Sequence, residues 1–214
     1  MDELEAAVAE LERSDVIGID TEADSFFSYR EQVCLVQITG NRGGPDYILD
    51  TLELPHLDPL HPILEDRGVV KVFHGADYDI VSMKRDFGGD ICNIFDTMLT
   101  AQAVGFARFG LADLVHHYFG IKLEKKYQRH NWSRRPLLDE HLEYARLDSH
   151  FLPRLRELMI TLIDERGRWG VRCIDGSQLL VKPACLTPVC LPASVPALGV
   201  HPALPHTTLP RWHD

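Results

Sequence analysis

Residues 16–27 read VIGIDTEADSFF, a β-branched apolar run that ends by placing two carboxylates, Asp20 and Glu22, two positions apart. In a strand successive side chains alternate faces, so these two acids project together. Two like charges held side by side repel unless a cation sits between them. Strand ends are commonly wet and acidic, so the pair alone leaves both a metal site and a solvated strand end open.

Outward from this stretch the pattern is that of an α/β chain. Upstream, Leu4, Val8 and Leu11 recur at helical spacing over residues 3–13. Downstream, VCLVQIT (33–39) and DYILD (46–50) read as two further strands, separated by turn-rich segments such as GNRGGPD. The short links predict an antiparallel meander. From residue 58 helix and strand alternate. LDPLHPILEDRG predicts a short helix, VVKVF (69–73) a buried strand, and the segment from Asp77 to Phe87 a helix with Asp77 as its N-cap. ICNIFD predicts a short strand, and helices follow over 97–104 and 111–119. DEHLEYARLDSHFLPRLRELMITLIDERG keeps a helical period to about residue 166, with a kink at Pro153. Three antiparallel strands followed by α/β units predict a mixed sheet flanked by helices. Beyond about residue 171 neither period persists, and residues 181–214 hold seven prolines. The expectation is a folded domain over 1–170 and a proline-rich, disordered tail over 171–214, with PPII docking to a partner as the lesser reading of the tail.

The totals narrow the function classes. The formal net charge of −10 argues against a general nucleic-acid coat, while leaving room for a local basic groove. Cysteines 34, 92, 173, 185 and 190 are odd in number and lack a CxxC spacing, so reduced thiols in a cytoplasmic protein are expected. No secretory signal is visible in MDELEAAVAELERSDV, and no apolar run is long enough to span a membrane.

Further acids stand at telling places. Asp77 and Asp79 follow a buried strand at the start of a helix, where acids are common for dipole reasons alone. Tyr144 and Asp148 are four apart, hence on one helical face. Each signal is weak by itself. Together, two acids on the first strand, one at a strand-to-helix junction and a Tyr-x-x-x-Asp on a late helix form an ordered constellation that chance seldom produces.

With these residues in view, the sequence resembles the DEDDy branch of the 3′–5′ exonucleases, in particular ribonuclease D and the exosome-associated exonucleases. GIDTEAD (18–24), LVQI (35–38), FHGADYDI (73–80) and YARLDSHFL (144–152) carry the resemblance, and QRHNWSRRPL (128–137) is similar to the family's loop before the last motif. It implies an RNase H-like mixed sheet of five strands, the second antiparallel, flanked by helices. It also implies that Asp20 and Glu22 form the first motif, Asp79 the second, and Tyr144 with Asp148 the third. Asp79 is preferred to Asp77 because the family's acid directly precedes the apolar Ile80. The sister branch places His five residues before its last Asp; here that position is Glu143, and His141 stands seven away. Leu147 departs from relatives that carry a further acid there. A proline-rich segment also stands where ribonuclease D continues into helical nucleic-acid-binding domains, which puts substrate affinity and processivity in question.

The implied chemistry is hydrolysis of a phosphodiester with two divalent cations, Mg²⁺ or Mn²⁺, about 4 Å apart and held by oxygen ligands. Under the resemblance Asp20 bridges both ions, Glu22 and Asp148 complete one, Asp79 steadies the second through water, and Tyr144 orients the attacking water. The residues from Lys122 to Arg135 reverse the local sign, with six Lys or Arg against one acid, Glu124, as a phosphate-binding rim would require. Candidate substrate contacts are His74 at the strand end and Lys125, Lys126, Gln128, Trp132, Arg134 and Arg135 in the loop. A solvated loop is the plainer reading of the charges. For Trp132, packing the loop onto the core is favoured over stacking a base. The expected partner is the 3′ end of single-stranded RNA, with no membrane. DNA is the runner-up, since no residue visibly reads a 2′-hydroxyl. A non-catalytic binding module fits less well, because no ligand of the constellation is replaced, and a scaffold acting through the proline-rich segment leaves the acids unexplained.

Overall fold

The computed structural model describes residues 3–42, 44–54, 56–166, 171–174 and 177–180. A helix, α1 (Glu3–Leu11), leads into three strands, β1 (Val16–Ala23), β2 (Val33–Gly40) and β3 (Asp46–Asp50). A 3₁₀ turn (Asp58–Leu60) and α2 (His61–Glu65) precede β4 (Val70–Phe73), α3 (Asp77–Phe87), β5 (Ile94–Asp96), α4 (Thr97–Val104) and α5 (Leu111–Phe119). Two helices, α6 (Asp139–His150) and α7 (Leu152–Arg166), follow the basic loop, and β6 (Val171–Ile174) and β7 (Ser177–Leu180) come last.

The sheet runs β3-β2-β1-β4-β5-β7-β6. β1 pairs antiparallel with β2 and parallel with β4, and β2 pairs antiparallel with β3, which is the meander the short links predict. The five strands β1 to β5 form a mixed sheet in which β2 alone runs against the others, as the resemblance implies. The hairpin β6–β7 extends it past β5. This corrects the expectation that no strand occurs beyond residue 171. VRCI and SQLL are too short to show a period, but Asp175-Gly176 between them is a strong hairpin-turn pair, and that signal was readable. Residues 181–214, expected to be disordered, lie outside the described residues.

β1 is buried from Val16 to Ile19 and half-exposed at Asp20 and Glu22, so it leaves the core where its apolar run ends. One face packs Ile17 and Ile19 against Leu4, Val8 and Leu11 of α1 and Ile80 and Met83 of α3. The other core joins Val16, Val72 and Phe95 to α4, α5 and α7 through Ala101, Val104, Leu114, Val115, Leu155 and Met159.

Gly18 sets where α6 and α7 meet the sheet. A Cβ there would lie 2.8 Å from both Leu152 Cβ and Ser149 O, and 2.9 Å from Pro153 Cδ. Only the bare glycine backbone lets the α6–α7 junction rest directly on β1, two residues before Asp20. The expected single kinked helix is instead two helices broken at Phe151. Pro153 has no N–H to return to Ser149 O, so the chain turns where that bond would have formed. Asp77 is not an N-cap either: α3 follows Ala76, and no side chain caps it.

Candidate active site

Asp20, Glu22 and Asp148 converge at the exposed end of β1. Each offers an oxygen such that these atoms all lie within 4.8 Å of one another, a spacing a single divalent cation can span. The first two arrive there by strand alternation. Asp148 arrives on α6, whose end is pressed onto Gly18.

The acids are uncomfortable without a counter-charge. Burial first, and then the charges of Asp79, Asp148 and Glu22, push the Asp20 carboxyl well above the ordinary range. Glu22 is raised by burial, Asp148 and Asp79, and Asp148 is raised to about 7 by burial. A set of hard oxygen donors that repel one another in a low-dielectric pocket fits a divalent cation, which would relieve both costs at once.

Asp79 stands slightly apart from this group. Thr21, which alternates to the face of β1 opposite Asp20 and Glu22, donates its hydroxyl to Asp79 Oδ1 at 2.5 Å. Asp79 is buried, and burial raises its carboxyl to about 7 against the lowering effect of that bond. Asp77, its competitor in the sequence, is exposed. The turn that delivers Asp79 is held by Asp96. This buried carboxylate accepts N–H bonds from Gly75 and Ala76, at 3.1 and 2.8 Å, and caps α4 through Met98 and Leu99, at 2.7 and 3.0 Å. Gly75 itself has φ +85°, a backbone that favours glycine. Thr21 and Asp96 were missed in the sequence, although an Asp directly before TMLT is a helix-cap signal.

Tyr144 lies one turn before Asp148, half-buried, and among the described residues its hydroxyl has no protein hydrogen-bond partner. Burial and then Asp148, Glu22 and Asp20 raise its phenol, so it remains protonated and can orient a water but not act as a base. His74 closes β4. Thr97 Oγ1 donates to Phe73 O, so at the 2.9 Å contact between His74 Nδ1 and that hydroxyl the imidazole must be the donor. Burial lowers His74 to about 4, so it is neutral, with Nε2 left as an acceptor.

The basic loop divides in two. Lys122 and Lys126 share a cavity of about 390 Å³ with Tyr127, Glu143, Tyr144 and Asp148, the one site acid that lines it. Lys126 also pairs with Glu140 at 3.1 Å. Lys125, Gln128 and Arg134 are exposed. Among the candidate substrate contacts, Trp132 is 1% exposed and packs the loop onto the core, the favoured reading of the sequence, so its ring is not available to stack a base, and Arg135 is turned to other partners. Arg135 is partly buried and engaged by the protein: it clamps Asp50 through Nε and Nη2 at 2.6 and 2.5 Å and donates to Trp132 O at 2.7 Å. A larger cavity, about 680 Å³, lies between β3 and residues 135–137 and contains none of the site acids.

Carboxylates from β1 and α6, with Asp79 of α3 near them, gather at the exposed end of the sheet beside a tyrosine and a loop rich in Lys and Arg, the arrangement of a candidate metal centre on a mixed α/β sheet. The family pattern described as 3′-5′ exonuclease matches residues 1–164, and the chain belongs to that family. It is 39% identical over 151 residues to the exosome complex exonuclease RRP6 of Saccharomyces cerevisiae, covering 70% of this chain and 20% of that protein. Against the protein RRP6-like 2 of Arabidopsis thaliana it is 37% identical over 159 residues, 73% of this chain and 18% of the relative. The chain thus spans about a fifth of the length of these curated relatives. Among solved structures, the catalytic core of RRP6 from Trypanosoma brucei superimposes with a TM-score of 0.73 at 36% identity, over 77% of this chain and 45% of that one. Escherichia coli RNase D, an exoribonuclease involved in structured RNA processing, gives 0.71 at 27% identity, over 77% and 44%. Among the described residues no helix is long and apolar enough to cross a membrane.

Proposed function

We propose that this chain is a 3′–5′ exoribonuclease that removes nucleotides from single-stranded RNA 3′ ends with two divalent cations, Mg²⁺ or Mn²⁺. The observation that carries the reading is the convergence of Asp20, Glu22 and Asp148 on one cation-sized space, with Asp79 beside it. Its similarity to RRP6 and RNase D supports RNA as the substrate class. Bound divalent cations would supply Lewis-acid neutralisation of the phosphate and acidify water for attack. Asp20, Glu22 and Asp148 would hold the first cation, and Asp79, steadied by Thr21, would serve the second. Tyr144 remains a neutral phenol and lines up the attacking water by hydrogen bonding. Lys122 and Lys126 line the approach to it, and exposed Lys125, Gln128 and Arg134 meet the phosphates further out. His74, being neutral, offers an acceptor to a nucleotide hydroxyl rather than a charge to a phosphate.

The test is degradation of 5′-labelled RNA and DNA oligomers with Mg²⁺, Mn²⁺ or chelator. Stepwise shortening from the 3′ end, abolished by chelator and by Asp20→Asn, is expected. Tyr144→Phe should keep cation affinity by calorimetry while losing about 10²- to 10⁴-fold in turnover, the usual contribution of a positioned proton-handling group. Chelator-resistant activity, or full activity of Asp20→Asn, would sink the proposal, and faster loss of DNA than RNA would replace the substrate class.

A further inference from the structure

Trp132 is among the largest fully buried side chains of the protein, yet it sits in a connecting loop rather than in a helix or strand. Its ring stacks on Tyr144, with centroids 6.0 Å apart and planes 29° from parallel. Tyr127 meets Tyr144 edge-on at 5.8 Å and 82°, so the catalytic-site phenol stands between a flat wall and an edge. The indole also packs with Cys34 and Leu35 of β2 and Ala145, the residue after Tyr144. Among the described residues its Nε1 is buried without a protein partner, a cost that a phenylalanine in the same place would not carry. A flat ring is therefore held here despite an unmet donor.

The loop that presents this ring touches α6 through His130 on His141 and Lys126 on Glu140, and it is tied to the sheet through Arg135. Arg135 donates to the Trp132 carbonyl at 2.7 Å and grips the Asp50 carboxylate at the end of β3 with two N–H groups. A third contact runs from Arg135 Nη2 to Cys34 O at 3.4 Å. The Tyr144 side chain has no hydrogen bond among the described residues, so packing, with these two rings in it, fixes where its hydroxyl points.

We infer that Trp132, anchored through Arg135 to Asp50, is the positioning residue of Tyr144. It never meets substrate; it sets the direction in which the phenol reaches toward the acids. The inference rests on the proposed role of Tyr144 in hydrolysis, and it places Trp132 and Arg135 in the machinery of that step instead of in the phosphate-binding rim.

A double-mutant cycle tests it. Trp132→Leu should lower kcat by about 10- to 100-fold with little change in KM, since misplacing a reacting group by about 1 Å can cost 10²-fold. Cation affinity by calorimetry should be unchanged, and Trp132→Phe, which keeps a flat ring, should recover most of the rate. In a Tyr144→Phe background Trp132→Leu should cost less than about 2-fold further, because groups that act as one unit are non-additive. A full, additive loss in that background would overturn the inference, as would a wild-type rate for Trp132→Leu. A readout independent of turnover is the ¹⁹F resonance of 3-fluorotyrosine at position 144. It should shift or broaden in Trp132→Leu, and an unchanged line would overturn the inference. A protein that degrades no oligonucleotide but shows the shifted line would instead refute the proposed function alone.

Discussion

Replacing Gly18 with alanine should damage the active site from beneath it. The added Cβ would stand 2.8 Å from Leu152 Cβ and Ser149 O and 2.9 Å from Pro153 Cδ. Ordinary carbon contacts lie near 3.5–4.0 Å, so the α6–α7 junction must retreat by about 1 Å. None of the three obstacles is the free end of a flexible side chain, so local adjustment cannot absorb the clash. Overpacking of this kind costs about 1–3 kcal/mol. At about 2–4 °C per kcal/mol for a chain of this size, melting should fall by about 2–12 °C. The larger effect is geometric. Asp148 follows from α6, and Asp20 stays on β1, so the distance between them opens by a similar amount. A displacement of about 1 Å is worth about 10²-fold in rate. Turnover on a short RNA oligomer, cation affinity by calorimetry and melting by calorimetry should all be compared with wild type. Normal cation affinity and turnover in Gly18→Ala would refute the claim that this contact sets the spacing of the acids.

The raised carboxyls make a prediction about the metal-free protein. Asp79 and Asp148 titrate near 7 in the folded state and near 3.9 unfolded, so between those values the folded chain holds more protons and its stability falls as pH rises. Wild type without metal should therefore lose melting temperature between pH 5 and pH 8 relative to Asp148→Asn, which removes one of these two titrating carboxyls; parallel curves for the two proteins would contradict the reading. On the basic loop, replacing the exposed Lys125 and Arg134 by Ala should weaken oligonucleotide binding and flatten its salt dependence by about one ion per lost phosphate contact. An unchanged slope in a salt titration would return both to the solvated surface.

The local patterns of this chain were legible because they are local. Strand alternation put Asp20 and Glu22 on one face, the Tyr-x-x-x-Asp spacing put Tyr144 and Asp148 on another, and β3, α4 and α5 begin and end where their periodicity does. The resemblance to the DEDDy exonucleases extended that reading to the sheet, whose five strands and antiparallel β2 the fold bears out. What the sequence could not supply was any quantity that depends on two distant segments touching. The pressing of α6 onto Gly18 and the lateral hold of Thr21 on Asp79 arise only when separate elements are packed. The hairpin β6–β7 is stabilised by the open edge of β5, and its short strands carry too few residues to announce themselves. The basic loop shows the limit most clearly. Arg134 and Arg135 are adjacent and alike in the sequence, yet one is exposed while the other folds back onto Asp50 and the Trp132 carbonyl. Periodicity is silent in an irregular loop, so burial there is decided by the surface the loop meets. Here that surface is the Asp50 carboxylate and the face of Tyr144.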